Sequence, residues 1–176
     1  MVVASRVYLD NVITSGWVLK DLQPPEEMAA VEHLYELHDA GTIKRVASKM
    51  SGIEQARTTD PQKRAALAAN VERVSVVQDD HRLFGFANLD YGSRGFISYP
   101  LIDDIVEPTL FEQLRKNAGL KDADAKPVMY AVANNCHYCV TLDTRDLLPR
   151  RSAIESICLQ LKIMRPTEAV AAAVGG

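Results

Sequence analysis

The stretch Tyr138-Cys139-Val140-Thr141-Leu142-Asp143-Thr144-Arg145-Asp146 decides the fold of this chain. Its first half, from Tyr138 to Thr141, combines aromatic, apolar and β-branched residues, which is typical of a buried strand. Asp143 follows where such a strand should end. A carboxylate at the carboxyl end of a buried parallel strand lies where α/β proteins bind their ligands. The alternative is that Asp143 only caps the element that follows, as Asp often does.

Outside this stretch, predicted strands and helices alternate along the chain. Further strands are predicted up to Leu9 and over residues 43–47 and 161–164, each an apolar or β-branched run. Predicted helices begin at residues 24–27, where prolines precede two acids, at residues 59–61, at residue 103, at Asp122, near residue 150 and at Pro166. We expect Gly41 to end the first helix and Pro108 to kink or split the helix over residues 103–116. The pattern predicts an α/β protein: a three-layer sandwich with a central, mostly parallel sheet.

The length of 176 residues indicates one domain, residues 1–176, with enough chain for a sizeable core. Charged residues make up 24% and the net charge is -3, so we expect no broad basic face for nucleic acid. A local basic patch or a bound metal could still supply positive charge. No apolar run has the length of a membrane span, and residues 1–9 are too short for a signal peptide. We therefore expect a cytoplasmic protein without membrane contact.

The three cysteines include one C-x-x-C pair, Cys136-His137-Tyr138-Cys139. A structural zinc site needs four ligands, and redox pairs usually begin a helix, whereas this pair leads into a strand. The odd count, completed by Cys158, argues against a disulfide framework. We therefore predict small buried residues here, with no chemistry.

Residues 78–101 form an insertion rich in aromatic residues and glycine. This composition is typical of a loop, and three interpretations stay open: a flap, an interface or a wall of the substrate site.

Acidic residues recur at the ends of the predicted elements. Asp10 ends the first strand, Glu54 lies on a helix predicted between the second strand and residue 59, and Asp122 or Asp124 begins a later helix. Glu54 also has capping-box spacing from Ser51, which is its structural alternative. Carboxylates that gather without basic partners repel one another, so this arrangement favours a cation at the centre. Mg²⁺ and Mn²⁺ prefer oxygen ligands and serve phosphoryl chemistry.

At four places the chain resembles the PIN-domain family. The matching segments are Val7-Tyr8-Leu9-Asp10, residues 48–54, residues 124–131 and Val140-Thr141-Leu142-Asp143. The resemblance covers most of the chain, up to the strand–helix junction at residues 161–166. It implies a PIN-like fold and a Mg²⁺- or Mn²⁺-dependent ribonuclease, in many members the toxin of a toxin–antitoxin pair. The partners expected from it are an RNA substrate, an antitoxin protein and a second copy of the chain in a homodimer.

The resemblance also implies a set of site residues. The metal ligands and catalytic acids would be Asp10, Glu54, Asp124 and Asp143, with Asp124 preferred to Asp122 because its spacing fits better. The residues that orient them would be Asn11, Ser48, Thr141 and Asp146, the last also as an outer ligand. Candidates for gripping the RNA backbone are Lys49, Arg145, Arg150 and Arg151, and for each the alternative is a solvated surface. The chain departs from the family where Asn11 directly follows Asp10, in place of Thr or Ser.

Two other functions are alternatives to the nuclease. A PIN-like domain that has lost its site serves as a binding or scaffold module, but all four acids are present here. A phosphatase or nucleotide-binding protein would be indicated by a loop such as G-x-x-x-x-G-K, which the sequence lacks.

Overall fold

A computed structural model describes residues 4–46, 59–71 and 107–175, with the backbone alone for residues 67–71. In these ranges four strands and seven α-helices alternate. The strands are β1 (Ser5–Leu9), β2 (Ile43–Val46), β3 (Tyr138–Val140) and β4 (Lys162–Met164). The helices are α1 (Asn11–Leu19), α2 (Pro25–Asp39), α3 (Pro61–Val71), α4 (Pro108–Lys116), α5 (Asp122–Ala133), α6 (Arg151–Ile157) and α7 (Pro166–Val174), and a 3₁₀ turn covers Leu148–Arg150.

The described strands form one parallel sheet in the order β2-β1-β3-β4. Leu9 of β1 is in register with Val140 of β3, and Val140 with Met164 of β4. The chain moves from β1 outward to β2 on one side and returns to β3 on the other. The carboxyl ends of β1 and β3 therefore flank the switch point of the sheet, where open α/β sheets place their ligand crevice.

Each face of the sheet carries its own apolar core, because successive strand residues point to opposite faces. Tyr8 and Cys139 pack on one face with residues of α4, α5 and α6. Leu9 and Val140 pack on the other face with residues of α1, α2 and α7. This arrangement confirms the α/β class with a parallel sheet, and it is compatible with a three-layer sandwich.

A buried carboxylate links the helices α2 and α7. Glu27 is 4% exposed and accepts hydrogen bonds from the backbone N–H of Thr167 at 3.0 Å and from the Thr167 hydroxyl at 3.1 Å. Thr167 lies in the first turn of α7, where backbone N–H groups have no partner within the helix. A side chain of α2 therefore provides the hydrogen-bond acceptor for the first turn of α7.

Most predicted boundaries agree with the structure. Asp60 caps α3 through the N–H groups of residues 62 and 63, and Gly41, with a φ of 76°, directly follows the cap of α2. Helix α4 begins at Pro108, with Glu107 just outside it, because a proline fits a first turn without losing a hydrogen bond. The predicted start of this helix at residue 103 lies outside the described residues. Helix α1 was not predicted at all.

Four other predicted features lie outside the described residues. They are the insertion at 78–101, Ser48, Lys49 and Glu54.

Candidate metal centre

Asp10 lies directly after β1 and is buried, with 8% of its surface exposed. Its backbone N–H donates to the Val140 carbonyl at 3.0 Å, which extends the pairing of β1 with β3 by one residue. Its Oδ1 accepts the backbone N–H of Asn11 at 2.7 Å, so Asp10 caps helix α1. Its Oδ2 accepts the Thr141 hydroxyl at 2.7 Å. Both oxygens are therefore held by groups at the ends of β1 and β3.

Thr141 connects Asp10 to the loop after β3. The side chain is fully buried, and its Oγ1 also accepts the backbone N–H of Asp143 at 3.0 Å. One hydroxyl thus donates to the first acid and receives from the backbone of the last. These two bonds connect the carboxylate of Asp10 to the backbone of Asp143, and the role of Thr141 toward metal ligands stays a prediction.

Asp143 organises the turn that follows β3. Its Oδ1 accepts the backbone N–H groups of Arg145 at 2.8 Å and of Asp146 at 3.0 Å. The capping alternative therefore holds in part, since Asp143 caps a turn that precedes the 3₁₀ segment. Because these bonds use Oδ1, they fix the side chain and leave Oδ2 outside the turn.

Three carboxylates come together beside this turn. Among the residues that the structure describes, Asp124, Asp143 and Asp146 can each offer an oxygen such that all three oxygens lie within 4.8 Å of one another. Asp124 comes from the first turn of α5, whereas Asp143 and Asp146 come from the loop after β3. These three side chains could hold a metal ion. Asp10 is outside this group.

The charge of the cluster changes the acidity of Asp124. Burial is the largest cause that raises its pKa, and the negative charges of Asp146 and Asp143 raise it further. Lys121 and Arg150 act against this shift. The ionised form of Asp124 is therefore disfavoured in the folded protein, as expected for a carboxylate among other carboxylates.

Asp122 points to a different partner. Its Oδ1 forms an ion pair of 2.6 Å with Nε of Arg115 on α4, and its side chain is 59% exposed. Of the two acids that begin α5, the structure thus places Asp124 at the cluster.

Asp146 is held by two basic side chains. Arg150 Nη1 donates to Asp146 Oδ1 at 2.9 Å, while Nζ of Lys121 lies 3.8 Å from Asp146 Oδ2. Lys121 was not predicted from the sequence. It directly precedes α5 without a capping bond from its side chain, and that side chain is 78% exposed. Nothing in its sequence position therefore distinguishes it from other surface lysines.

The predicted RNA-binding arginines have different surroundings. Arg145 is exposed on the turn between Asp143 and Asp146. Arg150 is engaged with Asp146, and Arg151 forms an ion pair of 3.1 Å with Glu168 of α7. Arg145 is therefore the described candidate whose side chain faces solvent beside the cluster.

A groove of about 400 Å³ opens on the α1 side of the same sheet edge. Its wall includes Val12 of α1 and Leu142, which stand next to Asn11 and Asp143 in the chain. Ser15, Asp21 and Gln23 add polar groups to this mostly apolar wall. The carboxyl ends of the strands are therefore bordered by a groove as well as by the acidic cluster.

The three cysteines do not belong to the cluster of Asp124, Asp143 and Asp146. All three are buried and unpaired as thiols, and burial raises the pKa of Cys136 and of Cys158 to about 11 and that of Cys139 well above its ordinary value. The prediction that they are small buried residues is confirmed.

Comparison of the chain with protein-family models, with curated proteins and with solved structures found no match. None of the described helices is both long and apolar enough to cross a bilayer.

Proposed function

We propose that this chain is a Mg²⁺- or Mn²⁺-dependent ribonuclease with a PIN-like fold. The observation that carries the proposal is the convergence of Asp124, Asp143 and Asp146 within 4.8 Å at the switch point of a parallel sheet. Two different elements supply these acids, and burial together with the charges of Asp146 and Asp143 raises the pKa of Asp124. A bound cation would offset that repulsion.

The donor set fits a hard divalent cation. The three residues offer carboxylate oxygens, which are the ligands that Mg²⁺ and Mn²⁺ prefer, and no described cysteine or histidine belongs to the group. Asp124, Asp143 and Asp146 would hold the ion. When bound, such an ion lowers the pKa of a coordinated water and neutralises charge that develops on a phosphodiester.

The surrounding residues would fix the ligands and the substrate. Backbone N–H groups and Arg150 hold the Oδ1 atoms of Asp143 and Asp146, so each carboxylate is pre-oriented. Asp10 acts through Thr141 on the backbone of Asp143, in a positioning role. Arg145 is placed to contact a phosphate of the RNA backbone. Glu54, which would ligate the ion or orient the attacking water, lies outside the described residues and stays a prediction.

Incubation of the purified protein with single-stranded RNA in Mg²⁺ or Mn²⁺ tests the proposal. We expect cleavage that excess chelator abolishes and that Asp143→Asn lowers by at least about 100-fold, since a metal ligand would be lost. The control is Asp122→Asn, which changes the same charge outside the cluster. Cleavage that persists in chelator, or equally in Asp143→Asn, would contradict it.

A binding or scaffold module is the second candidate, and the ion pairs of Asp146 favour it. Because Arg150 and Lys121 already face this carboxylate, the cluster carries some of its own countercharge without a metal. In that case Asp143 would be only the cap of its turn. The two candidates differ in metal response, because a module of this kind gains no thermal stability from Mn²⁺ whereas a metal site gains it by mass action.

A toxin role is part of the proposal and has its own test. Expression of the parent should arrest growth, and expression of Asp143→Asn should not. A neighbouring reading frame that encodes a small DNA-binding protein would support an antitoxin partner, and normal growth on expression of the active nuclease would contradict a toxin.

A further inference from the structure

Arg150 makes more contacts with the loop after β3 than a phosphate-gripping arginine needs. Its Nη1 donates to the Arg145 carbonyl at 3.1 Å, to the Asp146 carbonyl at 3.1 Å and to Asp146 Oδ1 at 2.9 Å. One guanidinium nitrogen therefore contacts two successive carbonyls of the turn and the carboxylate of Asp146.

The setting of Arg150 restrains its side chain. It is 35% exposed, whereas Lys121 on the other oxygen of Asp146 is 78% exposed. Gly119, in the loop before α5, has a φ of 67° and lies beside Arg150, because a Cβ at that position would be 3.8 Å from Arg150 Nε. Arg150 thus lies between this loop and the turn that it bonds, and its Nη1 is already used within the protein.

The two oxygens of Asp146 are held differently. Oδ1 has a short, charge-assisted bond to Arg150, and Oδ2 has only a distant ammonium at 3.8 Å. Fixing Oδ1 leaves Oδ2 as the oxygen that can turn to a cation in the cluster.

We propose that Arg150 is a positioning residue that holds Asp146 Oδ1 and so presents Asp146 Oδ2 to the metal. This inference rests on the proposed metal site and replaces the role of RNA grip for this arginine. The general behaviour of ligand-orienting groups supports it, since their removal typically weakens metal binding about 10- to 100-fold.

Arg150 could affect the metal through its charge or by positioning Asp146, and the two roles predict opposite changes in metal affinity when Arg150 is replaced. A cation near a metal site repels the metal, so a residue that acted by charge alone would weaken binding, and its loss would tighten it by about twofold at a solvated site. Loss of a positioning residue would loosen Asp146 and weaken binding. The sign of the change therefore separates the two roles.

The experiment is a titration of Mn²⁺ followed by electron paramagnetic resonance on the parent, Arg150→Met, Lys121→Met and Arg151→Met. We expect binding at least about tenfold weaker in Arg150→Met. Lys121→Met is the control for charge and should bind as tightly as the parent or slightly more tightly. Arg151→Met is the control for arginine removal, since Arg151 pairs with Glu168, and should bind unchanged.

Two outcomes would overturn the inference in distinguishable ways. Binding in Arg150→Met that equals or exceeds that of a metal-binding parent would reject the positioning role and leave the proposed function intact. A parent that binds no Mn²⁺ would reject the metal site and this inference with it. Circular dichroism of each variant verifies folding, and Arg150→Lys, which keeps charge and donors, should recover part of the affinity if folded Arg150→Met is weakened.

Discussion

The hydroxyl of Thr141 donates a hydrogen bond of 2.7 Å to Oδ2 of Asp10, across 131 residues of sequence. The hydroxyl oxygen of Thr141 also accepts the backbone N–H of Asp143. Two acids that the sequence predicts as equal ligands are therefore joined through one buried side chain. Of these two acids, only Asp143 belongs to the described cluster. Asp10 is connected to it through the hydroxyl of Thr141.

Thr141→Val should destabilise the protein. It removes the donor to Asp10 and the acceptor for Asp143 at a fully buried position, which we expect to cost about 1–3 kcal/mol. Urea unfolding of metal-free protein measures this. Thr141→Ser keeps the hydroxyl and is the control for it, although it also loses a methyl group. A Thr141→Val variant as stable as the parent would show that these two hydrogen bonds do not contribute to folding stability.

The stability of metal-free protein should depend on the ionisation of Asp124. Since burial and the neighbouring acids raise its pKa above the ordinary 3.8, the folded state binds this proton more tightly than the unfolded chain does. The free energy of unfolding should therefore fall as the pH rises from 3.8 through the raised pKa, and Asp124→Asn should lack this contribution.

At neutral pH the Asn variant should be the more stable protein. Because the site is partly solvated, we expect only about 0.5 kcal/mol, or roughly 1–2 °C in Tm. Thermal melts across pH measure both effects, with Asp122→Asn as the control that changes a charge in the same helical turn. Identical pH profiles for Asp124→Asn and the parent would contradict the prediction.

The two acids of α5 should differ in activity. Asp124→Ala removes a cluster member and should abolish cleavage, whereas Asp122→Ala breaks an exposed pair with Arg115 and should leave it within about twofold. Single-turnover cleavage of a labelled RNA at saturating Mn²⁺ compares them. Loss of activity in Asp122→Ala alone would reverse the assignment.

Glu27→Ala should weaken the contact between α2 and α7. The change leaves the partly buried N–H and hydroxyl of Thr167 without their acceptor, which we expect to cost about 1–2 kcal/mol. Urea unfolding gives the value, and Glu26→Ala, on the same helix turn but exposed, is the control. Equal urea midpoints for Glu27→Ala and Glu26→Ala would contradict a stabilising contact between Glu27 and Thr167.

Strand β3 and the acid after it could be predicted from the sequence, because a buried parallel strand is a continuous apolar run and its end is marked by polar residues. Helix α1 could not. Its residues include β-branched Val12 and Ile13 and a glycine, which are poor helix formers. The helix forms because Asp10 caps it and Ile13 is fully buried, and tertiary packing outweighs propensity there.

The membership of the cluster was only partly predictable. The order of the predicted strands and helices places Asp124 and Asp143 at the same end of the sheet. The sequence does not show which carboxylate oxygens already accept hydrogen bonds. Asp146 was predicted as an outer ligand and lies in the group, whereas Asp10 was predicted as a ligand and lies outside it. The turn that Asp143 caps and Arg150 contacts places Asp146, whereas the oxygens of Asp10 bond to Asn11 and Thr141, and neither set of contacts can be read from the sequence.

Anomalous diffraction from crystals grown with Mn²⁺ tests the metal site most directly. We predict one anomalous peak bound by oxygens of Asp124, Asp143 and Asp146, at about 2.0–2.3 Å as expected for oxygen ligands of such cations. Arg150 should stay on Asp146 Oδ1, with Lys121 displaced from Oδ2. A map with no peak at these carboxylates, and with Lys121 still beside Asp146, would contradict the account.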